Sequence, residues 1–76
     1  MGQIRNTKLL KRMAVVLKQL REDQNLTQSM VYNDTNIHIG RIETAQANPT
    51  VSTISALCDY YKISESELYK RIESIK

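Results

Sequence analysis

The apolar residues of this 76-residue chain recur at intervals of three and four along short segments. This spacing places the side chains on one face of a helix, and such a face has to be buried against other elements. The first segment predicts a helix over residues 7–24. Its apolar stripe consists of Leu9, Leu10, Met13, Val16, Leu17 and Leu20. Only two glycines and one proline interrupt the chain, so we predict an all-α fold rather than one rich in hairpins.

Short polar residues mark the ends of the next two helices. Asn25 suits the left-handed position that follows a helix. Thr27 suits the N-cap of a second helix, which we expect to end near Asn33. Thr35 or Asn36 can cap a third helix, and the sequence leaves both positions open.

Two further caps predict a fourth and a fifth helix. Thr50 follows Pro49 and can cap the fourth, while Ser64 and Glu67 have the spacing of a capping box for the fifth. The inward-facing residues of the last three helices are expected to be Ile39, Ile42, Ile54, Leu57, Cys58, Tyr61, Leu68, Ile72 and Ile75. Five helices with short connections predict one compact bundle over residues 7–76, preceded by a flexible N-terminus over residues 1–6.

Composition excludes several classes of protein. The net charge of +3 fits nucleic-acid binding, but it also fits many other domains. A single cysteine, Cys58, rules out an internal disulfide and suggests a reducing compartment, so we expect a cytoplasmic protein. No apolar run approaches the ~20 residues of a membrane span, so no membrane partner is expected. There is one histidine, no metal-ligand spacing and no nucleophile with a base, so we predict no metal, no cofactor and no enzymatic activity.

The order of several short motifs carries the functional inference. The segments Leu17–Glu22, Leu26–Gln28, Arg41–Glu43, Asn48–Pro49 and Tyr61–Ser64 together resemble the Cro and phage-repressor (XRE) family of helix-turn-helix domains. The resemblance implies a lambda-repressor-like fold that binds duplex DNA, with the second helix of the motif in the major groove. It also implies a transcriptional regulator, of repressor type, from a bacterium, a phage or a mobile element. The alternative is an antitoxin-like protein-interaction module on the same fold, whose partner would be a toxin or a co-regulator.

The chain departs from the family pattern between its second and third helices, where it is a few residues shorter. Counting forward from the second helix places Ile39 and Gly40 at the first base-reading positions, whereas counting back from Glu43 places Asn36 and Ile37 there. We favour the second alignment because it keeps both isoleucines of the third helix in the core.

A second departure is Ala45, which stands where the family usually has glycine. Alanine in a left-handed conformation costs about 1 kcal/mol, so we expect this loop to be built differently.

The resemblance implies DNA contacts from both helices of the motif and from the loop after them. The candidate residues are Thr27, Gln28, Asn36, His38, Gly40, Arg41, Thr44, Gln46 and Asn48. Arg41 can chelate a guanine, bind a phosphate or pair with an acid of its own chain. Gln28 can donate to a phosphate or remain a solvated amide, and Asn36 can bond adenine or cap its helix. Gly40 can allow close approach to DNA or tight packing against the first helix.

The resemblance further implies an ion pair between Arg21 of the first helix and Glu43 of the third, and it implies a homodimer. Leu68, Ile72 and Ile75 share one apolar face of the fifth helix, so we expect them to form the dimer interface, with packing of the fifth helix on the first as the alternative.

Overall fold

A computed structural model of the chain describes residues 6–75. Five α-helices follow one another within these residues: α1 (Thr7–Asp23), α2 (Gln28–Thr35), α3 (Ile39–Glu43), α4 (Val51–Tyr61) and α5 (Glu65–Ser74). No strand occurs in this part of the chain, so the predicted all-α bundle is confirmed.

One cluster of buried side chains holds the bundle together, and every helix contributes to it. Its members are Met13, Val16, Leu17, Leu20, Val31, Ile39, Ile42, Ile54, Leu57, Cys58, Tyr61, Leu68 and Ile72. Burial of each large aliphatic side chain contributes roughly 1.5–3 kcal/mol. The longest apolar stripe lies on α1, which packs against both α3 and α5. The angle at which α3 is presented to solvent therefore depends on α1.

The side chains of α5 face the chain's own core. Leu68 and Ile72 are 0% and 1% exposed, and Ile75 is half-buried against the same cluster. The expectation that these residues form a dimer interface is wrong for Leu68 and Ile72, because both are buried in the core of the chain itself, where α5 packs on α1 and α4. The alternative, in which α5 packs on α1, is what the structure shows.

The predicted caps of α2, α4 and α5 are confirmed. The side chains of Thr27, Thr50 and Ser64 each accept a hydrogen bond from the backbone N–H three residues later. The carboxylate of Glu67 was expected to complete a capping box, but it accepts instead from Arg71 Nε at 3.0 Å. The short i,i+4 distance between these two side chains on the helix surface favours that ion pair.

The ends of α1 are fixed by two asparagines. Asn25 has a φ of 58°, which confirms the left-handed stop that the sequence predicts. The flexible N-terminus predicted for residues 1–6 lies outside the described residues except for Asn6. That residue caps α1, because its Oδ1 accepts from the backbone N–H of Leu9 at 3.0 Å.

The junction of α2 and α3 differs from its prediction. The hydroxyl of Thr35 donates to the carbonyl of Val31 and accepts from the N–H of Ile37, so Thr35 closes α2. Asn36 then takes a left-handed conformation with a φ of 62° and is the C-cap of α2. Neither residue caps α3, which begins at Ile39 with His38 in the N-cap position. The expectation that Thr35 or Asn36 caps α3 is therefore wrong. The alignment counted back from Glu43 stays a prediction for base reading, and its burial pattern is observed: Ile39 and Ile42 are buried and Asn36 is exposed.

The loop after α3 keeps the left-handed turn despite its alanine. Ala45 has a φ of 59°, and its N–H donates to the carbonyl of Ile42. The N–H groups of Gln46 and Ala47 both donate to the carbonyl of Arg41. This is the Schellman pattern of hydrogen bonds that ends many helices. The expectation of a differently built loop is wrong, since these bonds hold Ala45 in a conformation that costs an alanine about 1 kcal/mol.

A buried hydroxyl offers a test of the core. The hydroxyl oxygen of Tyr61 has no hydrogen-bond partner among the described residues. A buried polar group without a partner costs about 1–3 kcal/mol. We therefore expect Tyr61→Phe to raise the free energy of unfolding by about 1 kcal/mol or more at pH 7, measured by urea denaturation. The matched control is Tyr60→Phe. The Tyr60 hydroxyl donates to Asp34 Oδ2 at 2.6 Å. Loss of this exposed hydrogen bond should destabilise the fold by less than about 1 kcal/mol.

Two ionisable groups in the same core lead us to expect that the protein loses stability at alkaline pH. Desolvation raises the pKa of the Tyr61 hydroxyl above its ordinary value, and it raises the pKa of the Cys58 thiol to about 11. The unfolded chain therefore releases these protons first as the pH rises, and stability falls from about pH 9 upwards. Tyr61→Phe should reduce that fall, and a fall of the same size in the variant would exclude Tyr61 as its source.

Candidate nucleic-acid interface

The five residues of α3 are divided between core and solvent. Ile39 and Ile42 are 1% and 5% exposed, as the sequence predicts, and they anchor the helix in the core. His38 and Arg41 are exposed on the opposite side, and Gly40 is half-buried. The burial of two isoleucines thus aims an imidazole and a guanidinium away from the bundle.

Two shallow grooves flank this outward face, and His38 and Arg41 border both of them. The first groove separates α3 from α2, and its polar lining also includes Gln28, Ser29, Tyr32 and Asn33. The second groove separates α3 from the loop that leads to α4, and its polar lining includes Asn36, Asn48, Thr50 and Thr53. The structure therefore brings together six of the candidate residues: Gln28, Asn36, His38, Gly40, Arg41 and Asn48.

A buried ion pair fixes α3 to the end of α1. Arg21 Nε donates to Glu43 Oε2 at 2.7 Å, and its Nη2 donates to Glu43 Oε1 at 3.0 Å. The third donor, Nη1, bonds the carbonyl oxygen of Leu26 at 2.7 Å. The Glu43 side chain is only 2% exposed. The hydrogen bond to Glu43 raises the pKa of Arg21 above its ordinary value. Such a two-pronged contact fixes direction as well as distance, so it sets the orientation of α3.

Gln28 connects α2 to the same ion pair. Its Nε2 donates to Glu43 Oε1 at 3.0 Å, so the amide is not simply solvated. The side chain lies over Gly40, where an added Cβ would stand 3.1 Å from Gln28 Oε1. The neighbour of Gly40 is thus a side chain of α2, and not α1 as one alternative held, and an added Cβ would require the Gln28 amide to shift by a few tenths of an ångström.

One contact in the interface was missed by sequence reasoning. The rings of Tyr32 and His38 have centroids 4.7 Å apart and planes tilted by 35°. Tyr32 is 40% exposed, so this contact lies at the surface of the first groove. The available signal was its place four residues after Gln28, which puts both on one face of a helix.

The remaining candidates have defined local roles. The hydroxyl of Thr27 accepts from the N–H of Met30 at 3.1 Å, and the hydroxyl of Thr44 donates to the carbonyl of Gly40 at 3.0 Å. Gln46 is exposed in the loop after α3. None of these three lines either groove, so the structure leaves them at the edge of the site.

Positive charge is sparse in this part of the chain. Residues 24–61 contain one cation, Arg41, and three acids, Asp34, Glu43 and Asp59. Glu43 is paired with Arg21, and Asp34 accepts from Tyr60. Arg41 is therefore the principal positive charge that the motif itself can present to an anion.

The described residues contain no group of three or more His, Cys, Asp or Glu side chains that could hold a metal ion. Cys58 is buried and its thiol is free. Over residues 6–75, none of the helices combines the length and the apolar character needed to cross a membrane.

Helices α2 and α3 are joined by a short turn and are in contact, and one face of α3 is exposed. This arrangement is a helix-turn-helix. A family model described as helix-turn-helix matches residues 17–68. The chain belongs to this family, the XRE type that its motifs resemble. Comparisons with curated proteins and with solved structures gave no match. Membership supports a DNA-binding role of the transcription-regulator type, in a family that is typically non-enzymatic.

Proposed function

We propose that the chain is a sequence-specific transcriptional repressor that reads the major groove of duplex DNA with the outward face of α3. The observation that carries the proposal is the exposure of His38 and Arg41 on a helix whose opposite face is locked into the core. In this reading Arg41 bonds a guanine edge or a phosphate, and Asn48 and Gln46 approach phosphates from the loop.

We further propose that the working unit is a cytoplasmic homodimer. One domain of this size reaches only a few base pairs, and two-fold symmetry would let two copies bind half-sites about one DNA turn apart. The interface would have to use exposed side chains, because Leu68 and Ile72 are already buried.

Arg41→Ala tests the proposal once a binding site has been selected from random duplex DNA. If Arg41 reads guanine, the variant should lose about 1–3 kcal/mol on the selected site and lose preference at one base pair. If Arg41 binds only phosphate, affinity should fall about equally on selected and scrambled duplexes, and the salt dependence should become shallower. Fluorescence anisotropy on both duplexes at about 50 and 200 mM salt separates the two cases.

The matched control is Lys70→Ala, which removes one exposed cation from α5. This variant should bind the selected duplex and the scrambled duplex with affinities close to those of the wild type. Wild-type affinity of Arg41→Ala on both duplexes would remove Arg41 from the interface, and failure of the wild type to enrich any sequence would contradict the proposed function.

One observation favours a second candidate function, a protein-interaction module without specific DNA binding. Residues 24–61 contain a single cation, Arg41, against three acids, whereas phosphate contacts supply a large share of the affinity of DNA-binding domains. Under this alternative the wild type would show weak binding to every duplex even at low salt, and its partner would be another protein, such as a toxin or a co-regulator.

A further inference from the structure

The first half of α1 carries a cluster of positive charge. Lys8, Lys11 and Arg12 stand three and four residues apart, so they are neighbours on one face of the helix. Both acids of α1 lie at its other end, at Glu22 and Asp23. Like charges at this spacing destabilise a helix by a few tenths of a kcal/mol per pair.

No carboxylate of the described residues forms an ion pair with this cluster. The ion pairs found over residues 6–75 are Arg21–Glu43 and Arg71–Glu67, and neither involves it. The first turn of α1 contains no acid either. The three cations are therefore available to an external anionic partner.

The same face contains an apolar groove. The three cations line it together with Val15 and Ile75, so it lies between α1 and the end of α5. Val15 is 43% exposed, although its neighbours Ala14 and Val16 are buried. An exposed aliphatic side chain surrounded by cations fits a ligand that offers both carboxylates and apolar side chains.

We propose that this groove binds an acidic amphipathic helix of a partner protein. Charge complementarity selects an acidic ligand, and the apolar lining with Val15 selects a protein helix, which places apolar residues three and four apart between its acids. Duplex DNA would satisfy the cations but would leave the exposed Val15 without an apolar partner. A second copy of the chain is a poorer match, since the exposed acids of its α5 are interspersed with Lys70 and Arg71.

The groove lies toward the other end of α1 from the ion pair that holds α3. Lys8 and Val15 lie 13 and six residues before Arg21, which is roughly 20 and 9 Å along the helix axis. A partner at this groove could therefore remain bound while α3 occupies DNA, and the proposal does not depend on DNA binding.

The test uses the full chain and a synthetic peptide with leucines at i, i+3, i+4 and i+7 and glutamates elsewhere. Calorimetry should show saturable binding, and amide shifts in heteronuclear NMR spectra should map to Lys8, Lys11, Arg12 and Val15. Lys11→Glu and Val15→Asp should each weaken binding about tenfold or more. Lys70→Glu, an equal change of charge on α5, is the matched control and should keep wild-type affinity.

Stability measurements separate lost binding from lost folding. Lys11→Glu removes like-charge repulsion with Lys8, so its melting temperature should equal or exceed that of the wild type. A peptide of the same composition with dispersed leucines should bind about tenfold more weakly or worse, because it keeps the charge and loses the apolar face.

Four results would overturn the proposal. They are absence of binding by the amphipathic peptide, equal affinity for the dispersed peptide, amide shifts away from α1, and a Val15-dependent self-association that competes with the peptide. Binding of scrambled duplex DNA that Lys11→Glu abolishes and Val15→Asp leaves intact would assign the cluster to DNA instead.

Discussion

Glu43→Ala is expected to lower the free energy of unfolding by about 3 kcal/mol, because it leaves the Arg21 guanidinium buried without its counter-charge. The substitution removes three hydrogen bonds, two from Arg21 and one from Gln28. Chemical denaturation at neutral pH measures this loss. The effect is a large fraction of the 5–15 kcal/mol that stabilises an ordinary domain.

The same variant should also bind DNA more weakly under conditions where it remains folded. The ion pair is the contact that fixes α3 against α1, and Gln28 fixes α2 against the same carboxylate. Without Glu43, α3 keeps its two buried isoleucines as anchors but loses the ion pair that fixes its direction. If α3 changes its orientation, several of its proposed contacts with base edges are displaced at once. Affinity for the selected site should therefore fall more than affinity for scrambled DNA.

Glu67→Ala is the matched control, since Glu67 forms the other ion pair of the described residues. That pair is exposed, with side chains 49% and 44% accessible, and should be worth less than about 0.5 kcal/mol. Replacing both Arg21 and Glu43 with Met and Leu should recover much of the lost stability, because no buried charge is left unpaired. A loss below about 1 kcal/mol in Glu43→Ala would contradict the structural role given to the pair.

The features that the sequence could predict are those set by local chemistry. Thr27, Thr50 and Ser64 cap helices because a short side-chain oxygen in that position satisfies a free N–H group whatever the tertiary context. Asn25 ends α1 because asparagine tolerates left-handed backbone. The apolar stripe of α1 is regular enough to define its bounds within one residue of those observed. The family resemblance added the partners Arg21 and Glu43, which are 22 residues apart and have no local signal.

The sequence could not predict features for which one residue can adopt either of two local conformations. Thr35 and Asn36 each suit an N-cap, but Thr35 can also bond back to Val31 and extend α2. Asn36 can equally end a helix in the left-handed conformation, and this second use prevailed. The contacts of Gln28 with Gly40, and of Tyr32 with His38, follow from the angle between α2 and α3. That angle is a property of the packed core rather than of either segment.

The distribution of charge modifies what the family membership implies. The motif presents Arg41 as its principal cation, whereas α1 carries Lys8, Lys11 and Arg12 at some distance from it. Because the motif can make few phosphate contacts, we expect the DNA affinity of each copy of the chain to depend only weakly on salt concentration. A second copy, or a partner that supplies its own contacts, would then be needed for tight binding.

Ile72→Lys is expected to unfold the protein rather than to yield a folded monomer. Ile72 is 1% exposed within the chain and packs in the cluster that joins α5 to α1. A lysine there must bury an unpaired ammonium or give up its charge, at a cost of several kcal/mol. For a domain of 76 residues, which buries a comparatively small fraction of its surface, that cost approaches the whole stability. Circular dichroism at 222 nm should show most of the helical signal lost at 25 °C.

Tyr69→Lys on the same helix is the matched control, because Tyr69 is 40% exposed and lies three residues before Ile72. It should remain folded, with a stability change within about 0.5 kcal/mol. Sedimentation of the two variants separates core from interface. If a homodimer used the buried face of α5, Ile72→Lys would be a stable monomer and Tyr69→Lys would still dimerise. The burial of Ile72 predicts instead that Ile72→Lys loses its fold at every protein concentration. The contacts that the lysine breaks lie within the core of one chain.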